Sequence, residues 1–243
     1  MSLFWENRDF AIDVGATRVR VLERDRGVVL DVAVEDLVDE SEFPDRGARL
    51  AAVCKAALMR AGARTRWVNR IRRLMASVPG GANEGEKRVL EEALCRAGAK
   101  RVFLIESPMA AAIGAGESVS NPQASTVVDI GATRIQVAVI AFAGIVVLRE
   151  TARNERTEVC VEQVADLVRA AISGCLAKER YNLADDIARR GITLTGGGAQ
   201  TEGLAAALQA ALNLPVRVAE DPALATILGT GPVLKELDFI AKK

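Results

Sequence analysis

Histidine is absent from this sequence of 243 residues. Its absence removes Ser-His-Asp and Cys-His catalysis and every histidine-based metal site. Any catalysis must come from carboxylates, hydroxyls, lysine, arginine or a cofactor. An excess of charge of either sign is missing too, since Lys plus Arg and Asp plus Glu number 32 each. Such a balance exerts no global pull on nucleic acid, and none is expected as a partner. Cysteine pairs are also lacking: Cys54, Cys95, Cys160 and Cys175 stand far apart, without a CxxC spacing. They read as small buried hydrophobes in a reducing cytosol. No apolar run is long enough to cross a bilayer, residues 137–148 reading as strands, and no signal peptide is visible. A cytoplasmic protein is expected.

What is present is a globular composition, 50% apolar and 26% charged, long enough for one large domain or two small lobes. Residues 10–22 alternate around a glycine turn, and residues 28–34 add a strand after the turn Asp25-Arg26-Gly27, giving a β-meander. Helical spacing follows at 46–61 and 84–97, stopped by Gly62 and Gly98, with strands at 74–78 and 102–105. Ser107-Pro108 reads as N-cap and first-turn proline of a helix over 109–115. Residues 117–125 read as a linker between lobes. After it the pattern restarts: a meander over 126–148, a helix over 159–177, a strand over 192–195, a helix over 201–212, a strand over 216–218, and a last helix capped by Asp221-Pro222 and reaching Leu237.

The restart is a duplication. Asp13-Val14-Gly15-Ala16-Thr17-Arg18 matches Asp129-Ile130-Gly131-Ala132-Thr133-Arg134, each in the first turn of a meander. This spacing is too long for a solenoid and fits two related lobes facing each other across a cleft. Each aspartate ends a strand, and each glycine lets backbone approach a ligand closely. Turn N–H groups can cradle phosphate oxygens while the aspartates hold a hydrated Mg²⁺. One copy alone would read as an ordinary Asp-Gly hairpin turn. A third site, Thr195-Gly196-Gly197-Gly198, joins a buried strand to a helix and suits a ribose or phosphate.

In order, the stretches VPGGANEGEKR (78–88), VFLIESPMAAAIGAG (102–116), VVDIG (127–131), GITLTGGG (191–198), LPVRVAEDP (214–222) and LGTG (228–231) resemble the actin and Hsp70 ATPase superfamily, most closely the bacterial rod-shape actins of the MreB/Mbl kind. The resemblance covers most of the chain. It implies an actin-like (ribonuclease H-like) α/β fold of duplicated lobes. Residues 1–118 plus 222–243 would form the subdomain IA-like lobe and 119–221 the IIA-like lobe, with subdomains IB and IIB missing. It makes Asp13, Gly15, Ala16, Thr17 and Arg18 the first phosphate loop, and Asp129, Gly131, Ala132, Thr133 and Arg134 the second. Gly196, Gly197 and Gly198 would belong to the adenosine site, and residues 108–116 to a helix connecting the lobes. Glu86 matches the family's catalytic glutamate, although a first-turn helix carboxylate is an equal reading. Asp13 and Asp129 would hold Mg²⁺ through water. Ile135 falls where the family carries a threonine that assists water attack.

The cofactors implied are ATP and Mg²⁺. Two readings stay open: a cell-shape protein that assembles with itself or with a full-length MreB-like protein and hydrolyses nucleotide weakly or not at all, and an ATP-binding, slowly hydrolysing, filament-forming ATPase. A small-molecule kinase is the more distant third. Assembly is expected through residues 204–214 and 141–147. Arg18 and Arg134 either hold phosphate directly or pair with Asp13, Asp129 or Glu86 and fill an empty cleft, the pairing being the preferred expectation. Leu3, Phe4, Trp5 and Trp67, the last within the basic stretch 64–73, suit a peripheral contact with the anionic inner face of the cell membrane.

Overall fold

The computed structural model of the chain describes residues 8–39, 43, 45–64, 71–154, 156–176 and 182–240. It divides into one unit of residues 1–105 and 230–243 and another of residues 106–229.

The first unit opens with strands β1 (Arg8–Val14), β2 (Arg18–Glu23) and β3 (Gly27–Ala33), an antiparallel meander. Gly27 (φ 79°) takes the left-handed position of the second turn, which only glycine adopts without cost. Helix α1 (Arg46–Arg60) begins where the Asp45 carboxylate accepts a hydrogen bond from the Ala48 amide (2.8 Å). Strand β4 (Ile71–Val78) then lies parallel to β1, followed by helix α2 (Glu84–Arg96) and strand β5 (Val102–Glu106). The sheet order is β3-β2-β1-β4-β5. On one face Phe10, Ile12, Val19 and Val21 pack with Val53, Cys54, Leu58, Leu90 and Leu94 from the two helices. The period of two sends Ala11, Asp13, Arg20 and Leu22 to the other face.

The second unit repeats the plan. Helix α3 (Ser107–Gly114) precedes strands β6 (Ser125–Ile130), β7 (Arg134–Ala141) and β8 (Gly144–Ala152). Helices α4 (Val161–Leu176) and α5 (Leu183–Arg190), strand β9 (Ile192–Thr195), a short 3₁₀ turn (Gly197–Gln200), helix α6 (Leu204–Leu212), strand β10 (Val216–Val218) and the start of helix α7 (Ala225–Ile240) complete it, in the sheet order β10-β9-β6-β7-β8; from residue 230 on, α7 belongs to the first unit. Val128, Ile130, Ile135, Val137 and Val139 face Val164, Val168, Leu204 and Leu208. The opposite face, Val127, Ala138 and Ile140, packs on Ala111 and Ala112 of α3 and on Ala225. Helices α3 and α7 touch backbone to backbone. A Cβ on Gly114 would collide with the Ala225 carbonyl, and one on Gly229 with that of Ala110.

The duplicated α/β architecture is the one expected, with several corrections. Residues 117–125 are no linker between lobes: Glu117 is buried, and the Asn121 and Val119 carbonyls accept the Phe142 and Ala143 amides (2.9 Å each). The division therefore falls at 105/106 and 229/230 rather than 118/119 and 221/222, because α3 packs against β6 and β7. Helix α3 starts at Ser107 itself, with Glu106 extended at the cap and no side-chain capping bond. Helix α6 starts at Leu204, because Gly203 turns left-handed (φ 74°) after the 3₁₀ turn. Helix α5 was not expected at all. Cys54 and Cys175 are buried, and burial pushes the Cys54 thiol up to about 12, but Cys95 and Cys160 are exposed, Cys95 on the outer side of α2. Among the described residues no further lobe separates β3 from β4 or β8 from α4.

Candidate functional site

The first glycine loop is the β1–β2 hairpin. The Gly15 amide donates to the Arg18 carbonyl (2.9 Å), and Thr17 accepts from the Val34 amide (2.9 Å), leaving Ala16 and Arg18 exposed at the tip. Asp13, at the end of β1, is held from both sides. Ser77 Oγ, on neighbouring β4, donates to Asp13 Oδ1, and Arg20 Nη1, opposite on β2, lies 3.7 Å from Oδ2. Arg20 Nε lies 3.4 Å from Asp31 Oδ1 on β3, which also accepts from Arg18 Nε (2.7 Å). Burial raises the Asp13 pKa above the ordinary carboxylate value, and the Ser77 bond and the Arg20 charge offset only part of the rise.

The second loop, β6–β7, closes the same way, with the Gly131 amide donating to the Arg134 carbonyl (2.9 Å). Asp129 Oδ1 accepts from Thr195 Oγ1 of neighbouring β9 (3.1 Å). Gln136 stands opposite Asp129 and donates to Glu150 Oε2 of β8 (2.7 Å), which Arg134 Nη1 also reaches (3.2 Å). Arg153, just past β8, donates to the Gly131 carbonyl (2.7 Å), and its amide to that of Thr133 (2.9 Å).

Arg18 and Arg134 thus pair with Asp31 and Glu150, not with Asp13, Asp129 or Glu86 as expected. The cause is register: Arg20 faces Asp31 and Gln136 faces Glu150, so an arginine two residues earlier shares their face and reaches the same carboxylate diagonally. Ile135 lies on the other face, fully buried in the core. Its side chain points away from the Asp129 and Gln136 face, so it does not stand at a water-activating position.

The three glycines after β9 divide their work. A Cβ on Gly196 (φ 81°) would come within 2.5 Å of the Ile130 carbonyl and 2.7 Å of Asp129 Oδ1. One on Gly198 would strike the Ile130 side chain. Around Gly197 nothing lies within 4 Å of that direction. Two glycines are therefore demanded by packing under the end of β6, and the third leaves open space.

Glu86 is exposed and sits in a capping box: its Oε2 accepts from the Asn83 amide (2.9 Å), and Asn83 Oδ1 accepts from the Glu86 amide (3.0 Å). Leu3, Phe4, Trp5 and Trp67 lie outside the described residues. No described helix is long and apolar enough to cross a membrane. Ser77, Arg20, Asp31, Thr195, Gln136, Glu150 and Arg153 were missed from sequence, though the repeat itself sets Arg20 against Gln136. Around Asp129 the donors Thr195, Gln136, Arg134 and Arg153 all serve acceptors of the chain, and Gly197 has open space beside it. The donors around Asp13 do not fit a water-held Mg²⁺, because both carboxylate oxygens already face donors of the chain.

The family model described as MreB/Mbl protein matches residues 48–155 and 149–242. The cell shape-determining protein MreB of Escherichia coli K12 is 31% identical over 230 residues, covering 69% of this chain and 66% of that protein. The chain thus spans just under two thirds of the length of the curated relatives it matches first. In fold it is similar to MreB5 of Spiroplasma citri bound to ADP, with a TM-score of 0.76 at 18% identity over 98% of this chain and 99% of that one. It is also similar to the MamK double helical filament protein, with a TM-score of 0.67 at 13% identity over 94% and 98%.

Proposed function

Since the chain belongs to the MreB/Mbl family of actin-like proteins, we propose that it serves cell shape by assembling with itself or with a full-length MreB-like protein, and hydrolyses nucleotide weakly or not at all. The observation that carries the weak chemistry is the pair of engaged carboxylates. Asp13 faces Ser77 and Arg20, and Glu86 is tied into its helix cap. Neither is presented as a group awaiting a metal or a water. We take the first unit as the counterpart of subdomain IA and the second as that of IIA. Ala16, Thr17, Ala132 and Thr133 are the loop tips that would meet phosphate, and Gly197 the place where a nucleoside comes near the backbone.

Sedimentation over a range of concentrations, alone and with a full-length relative, tests assembly. The expected result is concentration-dependent self-association or co-pelleting. A strictly monomeric chain that ignores the relative overturns it. Phosphate release from ATP should stay near background; robust turnover would refute the weak-hydrolysis half.

The open space at Gly197 favours a second reading, an ATP-binding, slowly hydrolysing filament protein. Peripheral membrane placement through Leu3, Phe4, Trp5 and Trp67 rests on composition. Pelleting with anionic vesicles that a Trp5→Ala, Trp67→Ala variant loses would support it, and equal behaviour of the two would refute it.

A further inference from the structure

The two loops share a backbone but not a charge. At the position where the second unit has neutral Gln136 opposite its aspartate, the first has Arg20 opposite Asp13. The Arg20 side chain is 13% exposed and lies between two carboxylates, 3.7 Å from Asp13 and 3.4 Å from Asp31. Its Nε is buried without a hydrogen-bond partner. The guanidinium stands on the Asp13 oxygen that Ser77 does not use. A divalent ion drawn to Asp13 would have to approach this cation, a like-charge contact in a half-buried place.

We infer that Arg20 is a built-in counter-cation that replaces the divalent ion at the first loop, so that this chain takes a polyphosphate without metal there. The inference deepens the phosphate-loop reading above and rests on it. With Asp13 neutralised by Arg20 rather than by a hydrated ion, the phosphates meet a loop that carries no uncompensated carboxylate beneath it. Arg20 is a positioning residue: it acts by neutralising Asp13 and by setting the charge under the loop tip. Asp31 of β3 faces Arg20 from the other side. It is the second carboxylate that keeps the buried guanidinium balanced, and it holds Arg18 as well.

The test is equilibrium binding of a fluorescent ATP analogue to wild type, Arg20→Gln and Arg20→Lys, each in Mg²⁺ and in EDTA. Wild type should bind with affinities within twofold in the two buffers. Arg20→Lys, which keeps the cation, should follow wild type. Arg20→Gln, which gives the first loop the rung of the second, should bind at least tenfold tighter in Mg²⁺ than in EDTA. Wild type binding more than tenfold tighter with Mg²⁺ overturns the inference. So does an Arg20→Gln protein indifferent to the ion, or a failure of both proteins to bind in either buffer. Binding by Arg20→Gln in Mg²⁺ alone, with none by wild type, overturns metal-free binding but keeps Arg20 as the group that excludes the ion. Should Arg20→Gln not fold, the wild-type comparison decides by itself. Sedimentation is read separately, so a loss of assembly with metal-independent binding intact would sink the assembly reading and leave this one standing.

Discussion

In the first unit a polar row crosses four strands as Ser77, Asp13, Arg20 and Asp31; in the second the equivalent row is Thr195, Asp129, Gln136 and Glu150. Both rows begin with a hydroxyl donating to the loop aspartate, and in both an arginine of the hairpin reaches the far carboxylate. They differ at the third member, a buried guanidinium in one and an amide in the other. The other ends of the two central strands differ likewise. Asp9, on β1, is surrounded by Arg24, Arg72 and Arg73, whereas the repeat-equivalent Ser125 of β6 receives a bond from Arg190 (3.4 Å). Duplication has kept the backbone hydrogen bonding and let the electrostatics diverge. Along these two central strands the first unit carries compensated, half-buried charges where the second has neutral groups; the second unit's own buried carboxylates, Glu117 with Arg190 and Arg217 and Asp186 with Arg189, lie elsewhere.

The largest effect should come from the Asp9 end. Its side chain is 1% exposed. Burial alone would raise its pKa, but the hydrogen bonds and charges of Arg72 and Arg73 outweigh burial and hold it well below the ordinary carboxylate range. Asp9→Asn leaves buried guanidinium unbalanced and should cost about 3–5 kcal/mol in denaturant unfolding, whereas Ser125→Ala should cost about 1 kcal/mol or less. Because the folded pKa is depressed, the Asp9 contribution is fully present above the unfolded value of about 4 and is lost as pH falls below it. Equal losses for the two variants would erase the contrast.

Next comes the glycine run. Gly196→Ala meets both a left-handed backbone and the Ile130 carbonyl, and should cost about 2–4 kcal/mol. Gly197→Ala should change stability by about 0.5 kcal/mol or less, since nothing stands in its way. A nucleotide titration of the same two proteins sharpens this: only the Gly197 variant should keep its fold and weaken binding.

A smaller change is expected at Asp13. Its folded pKa is raised, so the stability tied to its protonated form is full below the unfolded value and is lost as pH rises through the folded one. Asp13→Asn, which keeps an acceptor for Ser77, should shift neutral-pH stability by about 1 kcal/mol or less and flatten its fall with rising pH. A loss above about 3 kcal/mol would mean that the row depends on a charged Asp13.

Smallest are Arg18→Ala and Arg134→Ala. Their pairs with Asp31 and Glu150 are partly open to water, and each should be worth less than about 1 kcal/mol, shrinking further in high salt. Similar values in the two units would show that the rows diverge in their interior and not at their rims.

The meanders, the duplication and most helices were legible because their signals are local: a period of two, a period near 3.6, and glycine stops at Gly62 and Gly98. Helix α5 escaped notice although Leu183 and Ile187 are four apart and its acids precede its bases, because the segment is short and strongly charged. The row partners were hidden for another reason. Ser77 and Thr195 approach their aspartates through parallel pairing across more than sixty residues of chain, which no local pattern encodes. The pairing of Arg18 needed the β2–β3 register, which slips between Val21 and Leu22. The role of Gly197 emerged only by subtracting what Gly196 and Gly198 already do for packing.

The β7–β8 turn has a kinetic consequence. Phe142 (φ 54°) and Ala143 (φ 58°) both take left-handed conformations that cost ordinary residues about 1–2 kcal/mol each. Their amides are held by the carbonyls of Asn121 and Val119. The β2–β3 turn has Gly27 in its left-handed place, so that hairpin can close on its own sequence. The β7–β8 hairpin instead waits for residues 119–121 to dock. In refolding it should therefore follow the first meander, and placing Asn-Gly at positions 142 and 143 should accelerate its closure in stopped-flow measurements. An unchanged rate would show that the turn forms after the barrier has been crossed.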